Sequence, residues 1–202
     1  MNWLAVDTSG NHLTVIISKQ NKIYESYISN VSLKHSTTLL PEMENLLEKA
    51  NLTLSEIDVF VAVTGPGSFT GIRIGVSTIK ALAYSVNKKV LNVTSFDTLA
   101  YNTCSERVLA VIDAKHDNYY ACGYEKNKVV LTPCFIDKER LLALSNEYEV
   151  VSDSELFVKH TIANVKEGLL KAVSDNIYKA TFDREVLIPL YVKKSQAEEE
   201  LK

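Results

Sequence analysis

The chain repeats itself. "LAVDTSGN" at residues 4–11 is echoed by "LAVIDAKHDN" at residues 109–118, and the same succession of patterns follows each copy. After the first come the β-rich runs "LTVIIS" and "KIYESYIS", a helix-periodic stretch over 36–50, and the apolar run "IDVFVAVTG". After the second come "YYACGYEK" and "KVVLTPCFID", the helical "KERLLALS" and the strand-like "YEVVSD". A β-β-β-α-β order that occurs twice behind a shared opening is the mark of an internal duplication. It predicts an α/β protein of two similar lobes, 1–97 and 98–202, each with a β-β-β-α-β-α type mixed sheet, the second abbreviated. An aspartate, Asp7 or Asp113, ends the first strand of each copy. A charged, helix-favouring segment closes the chain.

The second punctuation mark is "VAVTGPGSFTGIRIG", residues 61–75, which packs four of the seven glycines into eleven positions between a strand and a helix. A dinucleotide fingerprint requires GxGxxG and an acidic residue about 20 positions later for a ribose. Here Gly65, Gly67 and Gly71 are spaced GxGxxxG, and no Asp or Glu lies between Asp58 and Asp97. No Gly-Lys-Ser/Thr ends the loop, so it is not a P-loop either. A tight strand-to-helix turn that needs glycine dihedrals is the plainer reading.

The helix that follows, 70–86, carries only Arg73 and Lys80 as charges, seven apart and on one side, with Ser77 and Tyr84 completing a narrow polar stripe. Apolar residues cover most of the remaining circumference, so a second covering surface is wanted beyond the sheet. A helix sandwiched inside its own domain fits the same pattern equally. Gly71 and Gly75 thin one side, where another element can approach.

Composition excludes several classes. With 22 basic and 25 acidic residues and a formal charge of −3, there is no basic stripe for tight nucleic-acid binding. Three cysteines without a CxxC pair predict neither a disulfide framework nor a zinc cage, but small core residues in a reducing compartment. No run reaches the roughly 18 apolar residues needed to span a bilayer, and the N-terminus has no cationic leader. A cytoplasmic protein without membrane contact is expected.

"VDTS", "HSTTLLPEMENLLEKANLTLSEID", "GPGSFTGIRIGVSTIKALA", "NVTSFDTLA", "VLAVIDAKHDNYYACGY" and "PLYVKKSQAE" together resemble the TsaB (YeaZ) family. These are bacterial tRNA threonylcarbamoyladenosine biosynthesis proteins grouped with the TsaD/Kae1/M22-like proteins. The resemblance implies the duplicated actin-like, ribonuclease H-like (ASKHA) fold. It implies a non-catalytic scaffold that pairs with a TsaD-like catalytic subunit as that subunit transfers threonylcarbamoyl to N6 of adenosine 37 of tRNA. It further implies a TsaE-like ATPase as third component, a homodimer when the chain is alone, and tRNA met only through the complex.

Residue by residue, TsaD-like proteins carry two histidines four apart where "VTSFDTLA" puts Ser95 and Leu99, so no metal site of that kind is expected. The phosphate hairpins of actin-like ATPases correspond to "DTSG" and to "DAKH", where a bulky charged residue replaces the flexible one. Asp7 and Asp113 then read as turn formers, His35 as a capping or surface residue, and "KHDNYY" as a hairpin turn rather than part of a triad. No cofactor, metal or catalytic residue is assigned. The expected partner-binding residues lie on helices 36–50 and 70–86: Leu39, Met43, Leu46, Phe69, Ile72, Arg73, Val76, Ile79 and Ala83. The alternatives are an ATP-dependent sugar-kinase-like enzyme, an M22-type glycoprotease or a dinucleotide module.

Overall fold

In the computed structural model, residues 1–31 and 33–193 are described. The charged tail expected from the sequence lies, past Lys193, outside the described residues. The described chain forms two compact units: Met1–Ser95 with Ala172–Pro189, and Phe96–Lys171 with the chain from Leu190. Residues 172–189 thus group with the first unit, whereas the sequence reading places everything from 98 onward in the second.

The first unit opens as an antiparallel meander, β1 (Asn2–Asp7), β2 (His12–Lys19) and β3 (Lys22–Ser29), in the register Ala5↔Ile16 and Val15↔Ser26. Nearly all of β2 is buried on both faces, while β3 alternates between partly buried and exposed, as an edge strand with one wet face does. Helix α1 (His35–Ala50) follows and stops at Asn51, whose φ of 49° and N–H bonds to the Leu47 and Glu48 carbonyls make a left-handed cap. Strand β4 (Val59–Val63) then runs parallel to β1, helix α2 (Phe69–Ser85) crosses over, and β5 (Lys89–Val93) runs parallel to β4. The sheet order is β3-β2-β1-β4-β5. At its β5 edge Val90 exchanges backbone hydrogen bonds with Thr181, which shields that edge.

The short helix α3 (Ser95–Ala100) leads from the first unit into the second, which begins at Phe96 and repeats the plan: β6 (Arg107–Asp113), β7 (Asn118–Glu125), β8 (Lys128–Asp137), α4 (Lys138–Leu144), β9 (Glu149–Ser152) and β10 (Thr161–Ile162). Its sheet order, β10-β9-β6-β7-β8, is the first one read backwards, with β6 in the place of β1. The pleat divides β6 between two cores: Leu109 and Val111 face the one that holds Leu141 and Leu144, and Val108 and Ala110 face the one that holds Phe96 and Leu99. Asp137 caps α4 by accepting from the Arg140 N–H at 2.8 Å.

Helix α5 (Val165–Asn176) went unread in the sequence, although Leu169, Ala172 and Val173 make a buried i, i+3, i+4 stripe. Among the cysteines, Cys122 is buried and Cys134 half-buried, but Cys104 is exposed rather than in a core, because it lies in the open loop between α3 and β6. No helix among the described residues is long and apolar enough to cross a membrane.

Candidate functional site

The turn after β1 is where the glycine-rich loop meets the sheet. Asp7, Thr8 and Ser9 are all buried at the end of β1. The Asp7 Oδ1 accepts from the Ser9 N–H at 2.8 Å and from the Ser9 hydroxyl at 2.6 Å. Its Oδ2 meets His12 Nε2 at 3.2 Å, and the His12 ring stacks on Tyr27 at 5.5 Å. The loop before α2 closes on the same turn, with the Ser68 N–H donating to the Ser9 carbonyl at 2.6 Å and the Ser95 hydroxyl donating to the Ser9 hydroxyl at 3.0 Å.

The glycines exist for this approach. The Thr8 hydroxyl donates to the Gly71 carbonyl at 2.7 Å, and a Cβ on Gly71 would overlap the Thr8 carbonyl oxygen. A Cβ on Gly67 would do the same to the Ser9 carbonyl. The thinned side of α2 therefore receives the end of β1 in its own unit.

Chemically, the turn is satisfied from within. The order is Ser9–Asp7–His12, with the carboxylate in the middle, so the imidazole faces Asp7 rather than the hydroxyl as a triad base does. The Ser9 N–H that a phosphate hairpin would direct at its ligand is turned inward to Asp7. Burial pushes the Asp7 carboxyl up, but the His12 imidazole and the hydrogen bonds from His12 and Ser9 outweigh it and hold the group below the usual carboxylate range.

The equivalent turn after β6 is open. Asp113 Oδ1 accepts from the Lys115 N–H at 2.8 Å and Oδ2 from the Lys115 ammonium at 2.8 Å. Lys115, His116 and Asp117 occupy the left-handed region in succession, with φ of 68°, 55° and 56°. Burial pushes the Asp113 carboxyl up, and the hydrogen bonds and charge of Lys115 together more than reverse this and hold it below the usual carboxylate range. Both aspartates are turn formers, as the sequence implied, and "KHDNYY" is the hairpin turn.

Most of the residues expected on the partner-binding helices face inward. Leu39, Met43 and Leu46 of α1 and Ile72, Val76, Ile79 and Ala83 of α2 all belong to the first unit's own core. The physical reason is that the sheet claims the apolar side of each helix. Phe69, 38% exposed, and Arg73, its guanidinium 3.8 Å from the Phe69 ring centre, do face solvent, as does Leu40 of α1 at 47%.

His35 is buried rather than a surface or capping residue. Its ring reaches back to β2 and its Nε2–H donates to the His12 carbonyl at 2.9 Å. Its Nδ1 has no hydrogen-bond partner. Leu99 lies in a core of the second unit, and the Ser95 hydroxyl is engaged with Ser9. Sequence reasoning missed His12, five positions after Asp7; a polar ring at the start of a largely apolar strand was the available signal.

Two sheets of matching order, each opened by an Asp-ended strand and a hairpin, define a duplicated actin-like α/β fold. The family model described as TsaD, tRNA N6-adenosine threonylcarbamoyltransferase, matches residues 22–182. The TsaB protein of Bacillus subtilis (strain 168), a tRNA threonylcarbamoyladenosine biosynthesis protein, is 30% identical over 145 residues, 71% of this chain and 63% of that protein. The TsaB protein of Escherichia coli (strain K12) is 28% identical over 165 residues, 75% of this chain and 71% of that protein. YeaZ from Pseudomonas aeruginosa shares the fold with a TM-score of 0.77 at 24% identity, over 94% of this chain and 99% of that one. The chain belongs to the TsaB (YeaZ) group of the TsaD family. It spans somewhat under two thirds of the B. subtilis protein's length.

Proposed function

We propose that the protein is a non-catalytic subunit of bacterial tRNA N6-threonylcarbamoyladenosine synthesis, a scaffold for a TsaD-like catalytic subunit. The observation that carries this reading is the closed turn after β1. Both Asp7 oxygens, the Ser9 N–H and the Ser9 hydroxyl are engaged with one another, His12 and Ser95, so none of these four groups is left to hold a phosphate. Leu99 and Ser95, which the resemblance sets where TsaD-like proteins carry two histidines, support the same reading.

The pairing surface is the solvent face of α1 and the N-terminal half of α2, centred on Leu40, Phe69 and Arg73. A phenyl ring under a guanidinium is the kind of aromatic-and-arginine anchor that dominates interfaces. In the absence of the catalytic subunit the same face pairs with a second copy of the chain. A TsaE-like ATPase completes the system.

Co-purification tests this reading. Leu40→Glu combined with Phe69→Glu should leave the chain folded and remove the TsaD-like subunit from the eluate, because an unpaired charge in the centre of an interface costs several kcal/mol. Undiminished recovery of the partner would move the interface elsewhere, and tight ATP binding or a stoichiometric metal on the isolated chain would overturn the non-catalytic role.

A further inference from the structure

The outer strand of a sheet carries N–H and C=O groups that can template a further strand, and folded chains blunt such edges. Of the edges here, β5, β8 and β10 are blunted. Val90 of β5 is already bonded to Thr181. Strand β8 contains Pro133 and shifts register against β7 twice, between Ala121 and Gly123 and between Gly123 and Tyr124, so it offers no regular ladder. Strand β10 is only two residues long. The remaining edge, β3, has none of these devices. It runs eight residues in unbroken register with β2, without proline or bulge, and among the described residues no strand pairs with its outer side.

The turn between β2 and β3 fixes which backbone groups face out. Gln20 and Asn21, with φ of 50° and 71°, make a two-residue turn closed by the pair Lys19↔Lys22. The closing pair of such a hairpin is hydrogen-bonded, and the alternation runs on from it. Lys22, Tyr24, Ser26 and Ile28 therefore turn their backbone groups to β2, while Ile23, Glu25, Tyr27 and Ser29 turn theirs outward.

A second β3 that docks antiparallel must set outward residues against outward residues, so the two-fold axis passes through a residue and not between two. An axis at Glu25 places two carboxylates directly opposite each other, which is unfavourable. An axis at Ser26 places Tyr24 opposite Ile28 of the second copy, Glu25 opposite Tyr27, Ile23 opposite Ser29 and Lys22 opposite Asn30. No like charges meet, and nearly the whole strand is paired. An axis nearer either end leaves part of the strand without a partner.

An extended segment of another protein would find the same backbone groups, but it is the match of β3 to itself that the sequence provides. We propose that the β3 edge pairs with β3 of a second copy of the chain, antiparallel about Ser26, so that two first-unit sheets continue into one. This surface is separate from the helical face of α1 and α2, and the inference does not rest on the pairing reading given above.

Cysteine cross-linking on the full chain tests it, with the exposed Cys104 replaced by serine. Ser26 would meet its own copy at a non-hydrogen-bonded position, where Cα atoms approach to about 4.5 Å and a disulfide can close. With oxidised glutathione, Ser26→Cys should run mainly as a covalent dimer on a non-reducing gel. Glu25→Cys and Tyr27→Cys should each stay monomeric alone and cross-link when mixed, because each faces the other's position. The Ser26→Cys dimer should form equally in a chain that also carries Phe69→Glu. In sedimentation velocity, Phe69→Glu should remain a dimer, and adding Ser26→Lys, which sets two ammonium groups on the axis, should halve its mass. Circular dichroism spectra that superimpose on the parent's identify the variants as folded.

No covalent dimer from Ser26→Cys, cross-linking of Glu25→Cys alone to the same extent, or a mass indifferent to Ser26→Lys would each overturn the proposal. A dimer lost on Phe69→Glu alone would assign self-association to the helical face, overturning the strand pairing while leaving the pairing reading intact. Loss of the TsaD-like subunit from the Ser26→Lys chain would give the edge to that partner and overturn it as well.

Discussion

Asp7 and Asp113 occupy equivalent places, each ending the first strand of its unit and each accepting the N–H of the residue two positions on. Their surroundings differ in every other respect. Asp7 is buried against His12 and Ser9 under a glycine-rich loop, while Asp113 is held by the flexible, exposed Lys115 on an open hairpin. A duplicated position thus keeps its backbone task in both copies and changes its energetic weight. In the first unit the turn is a keystone between strand and helix; in the second it is only a turn.

The largest effect expected from this contrast is at Gly71. Gly71→Ala sets a methyl group against the Thr8 carbonyl, and neither the end of β1 nor the start of α2 can withdraw without breaking the bonds among Thr8, Ser9 and the loop. Urea denaturation should show a loss of about 3 kcal/mol or more. A loss below about 1 kcal/mol would mean that the strand end yields and that the keystone description is wrong.

The aspartates themselves come next. Asp7→Ala strips two hydrogen bonds from Ser9 and leaves His12 facing a void, which should cost about 3 kcal/mol. Asp113→Ala removes a bond to an exposed lysine and should cost less than about 1 kcal/mol. Equal losses, measured on the two variants in parallel, would erase the distinction between the turns.

This distinction was only half visible in the sequence. Period-two and period-3.6 patterns revealed β1 to β4, β6 to β9 and the helices α1, α2 and α4, and the echo around Asp7 and Asp113 revealed the duplication. Periodicity says that a helix has an apolar stripe but not which neighbour takes it. Hence Val76 and Met43, read as candidates for a partner, prove to be core, while Leu40 beside Leu39 is the residue that faces out. The glycines announced a close approach without naming what approaches, because the Thr8 contact spans more than sixty positions. Helix α5 went unread because Gly168 sits inside its first turns and obscures a short stripe.

Acid titration sharpens the comparison further. A carboxylate whose folded pKa is depressed contributes stability that is complete above its unfolded value and disappears as pH falls through the folded one. For Asp7, starting from an ordinary value of 3.8, that contribution is present above about pH 5 and drains away below pH 4. The Asp7→Asn variant should therefore lose stability less steeply than the parent between about pH 4 and pH 2. Asp113 is depressed too, but its lysine partner is exposed, so its smaller contribution should fade in about 1 M salt while that of Asp7 persists. An acid limb unchanged by Asp7→Asn would show that other carboxylates govern it.

The smallest effect belongs to the open turn. His116 has a φ of 55° and its side chain takes no part in the Asp113–Lys115 bonds. A side chain in the left-handed region costs about 1–2 kcal/mol, which glycine avoids, and glycine gives back about 0.5–1 kcal/mol through the greater freedom of its unfolded chain. His116→Gly should thus raise stability, by less than about 1 kcal/mol, in a thermal melt followed by circular dichroism. The sign matters more than the size. A gain means that the second turn carries local strain with no packing to offset it, as an open hairpin should; a loss would mean that the histidine ring makes contacts strong enough to hold the turn, and the two turns would be more alike than their burial suggests.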